Sequence, residues 1–131
     1  MSLLTSTGVV AWSDTDASGR FHFTAPWRWV ENTEHAFYRS ALPGIEIGRF
    51  PRRSASASYE LPLQAGDTYA VELDVGHIGC SSITYRWRVL GPRGVSVTGG
   101  HTVVHIDEDG RPSPVPQALH AAVIDRKEIA Q

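Results

Sequence analysis

Hydrophobic and polar residues alternate along this chain with two different periods, and the change of period divides it. GVVAW (8–12) is short, apolar and β-branched, and predicts a buried strand. A polar loop (13–23) follows. From Trp27 the period is helical: Trp27, Val30, Glu34, Phe37, Tyr38 and Ala41 share one side, and Glu31 lies on that side between Trp27 and Tyr38. Thr24 stands at the N-cap, and Pro26 fits the first turn, where a missing N–H costs nothing. Pro43 and Gly44 end the helix. After that the period is two. RRSASASYEL (52–61) alternates small and polar residues. DTYAVELDVGHIG (67–79) sets Tyr69, Val71, Leu73 and Val75 on one face. SSITYRWRVLG (81–91) sets Ile83, Tyr85, Trp87 and Val89 against Thr84, Arg86 and Arg88. GPRG (91–94) is a tight turn. VSVTGGHTVVHID (95–107) is a long strand whose central Gly99-Gly100 predicts a bulge or bend. A loop rich in turn residues (107–116) and a short helix over 116–124 close the chain.

One strand, one long helix and four strands joined by short turns predict an α+β domain, an antiparallel sheet with the helix on one face. A sheet of that length curls around the helix, and the Trp, Phe and Tyr side chains of the helix fill the wrap. The SASAS strand has little apolar bulk, which suits a place where another chain or a ligand comes close. With 131 residues, 1–131 is expected to be a single domain, and 41% hydrophobic residues supply an ordinary core. A net charge of −2 argues against a general polyanion binder, so no nucleic-acid partner is expected. The basic residues are eleven arginines and one lysine, Lys127, in a polar tail, which argues against a Schiff-base lysine. Cys80 is the single cysteine, expected to be a small buried thiol; neither an intrachain disulfide nor a thiolate cluster can form. The first residues lack the basic flank and apolar core of a signal peptide, and no apolar run approaches the ~18 residues of a membrane span. The expectation is a soluble cytoplasmic protein without a membrane partner.

Candidate chemistry concentrates before the helix. Asp14 and Asp16 stand two apart, where like charges repel; either they shape and cap a loop, or one of them is held for chemistry. His22, in the same loop, is a surface histidine or a substrate contact. The six histidines raise the question of a metal. His101 and His105 face the same way on one strand, but their Cα atoms would be about 13 Å apart. HExxH and CxxC are absent, so no metal and no other cofactor is expected. There is no GxSxG elbow for a serine hydrolase.

The stretch DTDASGRFHFTAPWRWVENTEH, with Asp14, Asp16, Gly19, Pro26, Trp29 and Glu31, is the most specific piece of a wider pattern. GHIGCSSITYRWRV (76–89) and DEDGRPSPVPQAL (107–119) extend it over nearly the whole chain. In this order the pattern resembles the hotdog-fold acyl-CoA thioesterases of the 4-hydroxybenzoyl-CoA thioesterase type. The resemblance implies a hotdog fold, an antiparallel sheet wrapped around one long central helix. It also implies hydrolysis of an acyl-CoA to free acid and CoA, and a homodimer or homotetramer with active sites at subunit interfaces. It implies Asp16 as the nucleophile, through an acyl-enzyme anhydride, or as the general base on water. It further implies the Phe23 amide as the oxyanion donor at the helix N-terminus, and Ser81 and Ser82 as lining of the pantetheine channel. Gly19 would let the loop turn tightly, and Asp14 would hold it by hydrogen bonds. The CoA thiol, with a pKa of about 8.5, leaves easily.

Around that core the candidate substrate contacts are His22, Thr24 and Trp27 near the helix start. Arg86 and Arg88 are either phosphate contacts for CoA or a solvated sheet face, and Arg52 and Arg53 are further phosphate candidates. Glu31 is either a buried, hydrogen-bonded residue or a second acid with a raised pKa. A rival substrate is an acyl carrier protein, whose acidity would call for a basic patch such as Arg49, Arg52 and Arg53. The other rival is a non-catalytic protein that binds an acyl thioester. Hydration of an enoyl thioester would need an Asp and a His on a differently patterned loop, which this chain lacks.

Overall fold

The computed structural model describes residues 3–130; the side chains of 127–130, Lys127 among them, lie outside what it describes. Five strands form one antiparallel sheet: β1 (Leu4–Val9), β2 (Arg52–Tyr59), β3 (Thr68–Ile78), β4 (Ser82–Gly91) and β5 (Gly94–Val104). Their order is β1-β3-β4-β5-β2, so β1 and β2 are the edges. The long helix α1 (Ala25–Ala41) lies between β1 and β2 in sequence, and α2 (Gln117–Ala130) ends the described chain. The expected architecture is present, α+β with one long helix on one face of the sheet.

The core forms where the two periods meet. From α1 come Trp29, Val30, Phe37 and Tyr38; from the sheet come Val71, Leu73 and Val75 of β3, Ile83, Tyr85, Trp87 and Val89 of β4, and Val97 and Val103 of β5. Burying side chains of this size contributes roughly 1.5–3 kcal/mol each, which sets the sheet face unambiguously. The other faces of β3 and β4 carry Glu72, Asp74, Arg86 and Arg88. β4 and β5 join through Pro92 and Arg93 alone, with Gly94 at φ +128°. Among the described residues no helix is long and apolar enough to cross a membrane.

Four expectations need correction. The first strand is Leu4–Val9, not 8–12. Its residues alternate between half-buried and exposed and pair with β3 from Leu4↔Leu73 to Val9↔Thr68. Edge pairing needs backbone groups more than apolar bulk, so LTSTGV forms the strand. The apolar run instead turns away at Val10, and Trp12 is 83% exposed in a short 3₁₀ turn (Trp12–Asp14). Gly99-Gly100 is not a bulge, because the β4–β5 register runs through it unbroken. A Cβ at Gly99 would come within 2.5 Å of Trp87 Cζ2 and 2.7 Å of the Ser56 carbonyl, so close packing excludes a side chain there. α2 runs on to Ala130. Its Leu119 and Val123 are buried, and Arg126 donates to the Leu3 carbonyl at 2.9 Å, which carries the helix past its apolar part. Cys80 is exposed, in the turn between β3 and β4.

Candidate active site

The loop between β1 and α1 is closed by short-range hydrogen bonds. Asp14 sits at its base with its side chain only 8% exposed. One carboxylate oxygen accepts the Ala11 N–H at 2.9 Å and the other pairs with Arg28 of α1 at 2.6 Å. The Asp14 carbonyl accepts the His22 N–H at 2.7 Å, so this one residue ties both ends of the loop to the helix. Inside that frame a second, tighter turn forms. Asp16 N–H donates to the Arg20 carbonyl at 2.9 Å, Gly19 N–H donates to the Asp16 carbonyl at 3.0 Å, and Thr15 bridges Phe21. Gly19 has φ +77°, the left-handed region that favours glycine.

The Asp16 carboxylate is exposed. Its Oδ1 accepts the Ser18 N–H at 2.8 Å and the Ser18 hydroxyl at 2.5 Å. Its Oδ2 has no hydrogen-bond partner among the described residues. The Ser18 hydroxyl and amide, with a smaller contribution from His22, hold Asp16 below the ordinary aspartate pKa. It is therefore ionised throughout the physiological range.

The start of α1 supplies the opposite polarity, and its donors can be accounted for one by one. His22 N–H goes to Asp14, Thr24 N–H to His22 Nδ1 at 3.2 Å, Ala25 N–H to the His22 carbonyl at 2.9 Å, and Trp27 N–H to the Thr24 carbonyl at 3.2 Å. Pro26 has none. The Phe23 N–H is the one left without an acceptor among the described residues. Thr24 stands at the N-cap, but its hydroxyl makes no cap bond. Since His22 Nδ1 already accepts the Thr24 amide, it acts as an acceptor toward the Thr24 hydroxyl too, 2.6 Å away. The His22 ring thus takes the cap's place. Asp16, Phe21, Phe23, Tyr59, Leu61 and Pro62 line a cleft of about 310 Å³. Asp16 and Phe23 therefore open on the same space, and Phe23 is 63% exposed there.

Other candidate residues lie elsewhere in the chain. Ser81 and Ser82 are at the start of β4, whereas the Asp16 loop lies at its far end, where Phe21 N–H binds the Leu63 carbonyl and Leu63 packs beside Gly91. Nine strand steps separate the two ends, about 30 Å. Arg86 and Arg88 point away from α1 on the outer sheet face. They share a shallow depression of about 450 Å³ with Glu72, Asp74 and Thr98, and Arg88 is paired with Glu72. That depression is larger than the Asp16 cleft, but it holds neither a free carboxylate beside an open amide nor a helix end. Trp27 is half-buried edge-on against Trp87, with ring centroids 5.0 Å apart. Glu31 is not buried: its side chain is 46% exposed beside Arg52 and His35, outside the Asp16 cleft.

The buried acid on the helix is Glu34, one turn further on. Its Oε1 accepts from His101 Nε2 at 2.6 Å and from Arg52 at 2.9 Å, and its Oε2 accepts the Tyr38 hydroxyl at 2.6 Å. Tyr85 donates to Tyr38 at 3.1 Å, and Trp87 Nε1–H donates to His101 Nδ1 at 3.2 Å. An indole only donates, so Nδ1 is the bare nitrogen and the proton toward Glu34 sits on Nε2. Burial pushes the Glu34 carboxyl up, but the His101 ring, Arg52 and Tyr38 outweigh it and hold the group below the ordinary glutamate value. Burial drives the Tyr38 and Tyr85 hydroxyls well above the phenol range, so both remain donors. The side chains of Glu34 and His101 are both fully buried, so this acid–histidine pair has no face for a substrate. The sequence offered one signal for the cluster, a glutamate at a core position of the helical period. The partner histidine lies 67 residues away and carried none. Among the described residues no three His, Cys, Asp or Glu side chains gather to hold a metal ion.

Neither a protein-family model nor a curated protein sequence matches the chain. Solved structures do. A thioesterase from Thermus thermophilus, solved with coenzyme A and zinc, superposes with a TM-score of 0.89 at 20% identity, over 97% of this chain and 96% of that one. A 1,4-dihydroxy-2-naphthoyl-CoA thioesterase from Synechocystis gives a TM-score of 0.82 at 19% identity, over 93% and 96%. A gentisyl-coenzyme A thioesterase gives 0.81 at 20%, over 91% and 98%. With about one residue in five identical but the backbone shared nearly end to end, this chain has the hotdog fold found in those thioesterases.

Proposed function

We propose that this protein is an acyl-CoA thioesterase in which Asp16 and the Phe23 amide act on the two sides of one carbonyl. The observation that carries the reading is the cleft that Asp16 and Phe23 share: Asp16 brings an ionised carboxylate with one free oxygen, and Phe23 brings the one N–H of the helix start that has no acceptor among the described residues. Thioester hydrolysis asks for this pair. The amide and the helix dipole stabilise negative charge as it develops on the carbonyl oxygen. The carboxylate attacks the carbonyl carbon directly, giving an anhydride that water then opens, or it removes a proton from an attacking water. The CoA thiolate departs in either case. Two solved thioesterases that share this fold and bear CoA-thioester names, and a third solved with coenzyme A, support the same substrate class.

The reading includes a homodimer, or a tetramer built from two. β2 is an edge strand, exposed along most of its length, with backbone groups free to pair with a second copy. A two-fold pairing of β2 with itself is antiparallel, so the Pro51 end of one copy lies beside the Tyr59 end of the other. The Ser81 turn sits at the Pro51 end, because Val104 N–H binds the Pro51 carbonyl and His105 N–H binds the Ser81 carbonyl. Pairing would therefore bring Ser81 and Ser82 of one chain toward Asp16 of the other, a meeting that is impossible within one chain. CoA is favoured over a carrier protein as the thiol carrier, because Arg49 is paired with Glu46 and Arg52 with Glu34, which leaves Arg53 alone of the expected basic patch.

The test is thiol release from a panel of aryl-, phenylacetyl-, short- and long-chain acyl-CoAs by wild type and Asp16→Asn. Turnover of one class by wild type, lost in the variant while the folded oligomer persists, is the expected result. Equal turnover in Asp16→Asn would move the chemistry to another residue, and no turnover by wild type would overturn the CoA-ester reading.

A further inference from the structure

We infer that Tyr59, the last residue of β2, is a positioning residue for the Phe23 amide; the inference rests on the thioesterase reading above. Two peptide planes meet at Phe23. The first, from His22 to Phe23, contains the candidate oxyanion donor. Its carbonyl is held by the Ala25 N–H at 2.9 Å, and in a trans peptide the N–H points opposite to that carbonyl, away from the helix interior. The second plane, from Phe23 to Thr24, has no such support from the helix. The first helical bonds run to the His22 and Thr24 carbonyls and skip that of Phe23. Its partner comes from across the cleft: the Tyr59 hydroxyl donates to the Phe23 carbonyl at 2.5 Å, over 36 residues of chain.

Tyr59 is well placed for this. Its backbone is paired with Val97 of β5, and its ring packs against Phe21 with centroids 6.1 Å apart. The hydroxyl is thus mounted on a strand, while the group it holds belongs to a loop. Without it, the second plane keeps only the Thr24 N–H bond to His22 Nδ1 at 3.2 Å, and the Phe23 carbonyl loses the contact that ties the turn carrying the amide to the sheet. A displacement of that turn acts on the transition state, where the amide must meet the oxyanion, more than on ground-state binding.

The test is Tyr59→Phe, which keeps the ring and removes only the donor. The expected result is a fall in kcat on the order of tenfold with KM within about twofold of wild type. The melting temperature and oligomeric state should stay unchanged. A second readout does not depend on turnover: with ¹⁵N-phenylalanine labelling, the Phe23 amide resonance should shift and its solvent exchange quicken in Tyr59→Phe. Unchanged kcat would overturn the inference. So would a raised KM at constant kcat, which would make Tyr59 a substrate contact, or an unmoved Phe23 resonance. A full-activity Tyr59→Phe beside an inactive Asp16→Asn would sink this inference and leave the thioesterase reading standing. A wild type inactive on every thioester would sink the reading, with the resonance still deciding whether the clamp exists.

Discussion

Asp16 and Glu34 are both carboxylates held below the ordinary pKa of their type, and their surroundings are opposites. Asp16 is exposed, and its two main partners are the amide and hydroxyl of Ser18, two residues away. Glu34 is fully buried, and its partners arrive from β2, from β5 and from one turn along its own helix. One oxygen of Asp16 is left open to a cleft, while both oxygens of Glu34 are taken. On the proposed reading, the comparison separates two uses of the same chemical group. A carboxylate that is to react must be stabilised as an anion without being sealed. A carboxylate that holds a core together must be satisfied at every lone pair within reach, because an uncompensated charge there costs several kcal/mol.

The sharpest break between the two would come from removing each charge in turn. Asp16→Asn is expected to lower thioester turnover by about 10³-fold, within the range that a positioned acid or base contributes. Its thermal midpoint should stay where it is, which a melting curve on the assayed sample checks. Glu34→Ala is expected to do the reverse. It leaves His101 and the Tyr38 hydroxyl buried without their acceptor, and should cost about 3 kcal/mol in urea unfolding at fixed protein concentration. Turnover per folded molecule should remain within about twofold. If Glu34→Ala left stability intact and abolished turnover, the buried cluster would be part of the chemistry and the comparison would collapse.

A gentler probe is pH. Because Glu34 has a folded pKa below its ordinary value of 4.5, the unfolded chain binds the more protons in the window below that value. Its contribution is fully present above about pH 4.5 and is lost as the pH falls through the lower, folded pKa. Stability should therefore decline with acidification in that window, and Glu34→Ala should flatten the decline. Equal slopes in the two proteins would mean that other carboxylates carry the acid sensitivity. The smallest expected effect is at Asp14→Asn, which weakens the ion pair with the largely exposed Arg28. A stability loss of about 1 kcal/mol is expected, with a several-fold fall in kcat as the loop loosens around Asp16. Unfolding curves read the first and steady-state kinetics the second.

How much of this was legible in the sequence follows the same division by range. Thr24, Pro26 and the helical period placed α1 to within a residue, because caps and periodicity are local. The faces of β3 and β4 were legible for the same reason. β1 was misplaced by about four residues, since edge pairing with β3 outweighed apolar content. Gly99 read as a bulge, because nothing local reveals that the Trp87 indole lies over it. At the candidate site, Asp16, Gly19 and Phe23 were marked by the motif, and the hydrogen bonds of that loop span only a few residues. Tyr59 was not marked, because its hydroxyl acts on a carbonyl 36 residues away. Glu31 was singled out where Glu34 is the buried acid. A helical period alone does not say which of two acids faces the sheet and which faces Arg52 at its edge.

By itself, then, the sequence determined the long helix, the faces of β3 and β4 and the turn that presents Asp16. These depend on contacts within one or two turns of chain, which residue type and spacing encode directly. Only the tertiary structure decided that the Phe23 amide is the unpartnered donor, that Tyr59 reaches its carbonyl, and that Glu34 finds His101. Each of those depends on which strand becomes an edge and how far α1 reaches across the sheet. That outcome belongs to the packing of the whole core and not to any one stretch of residues.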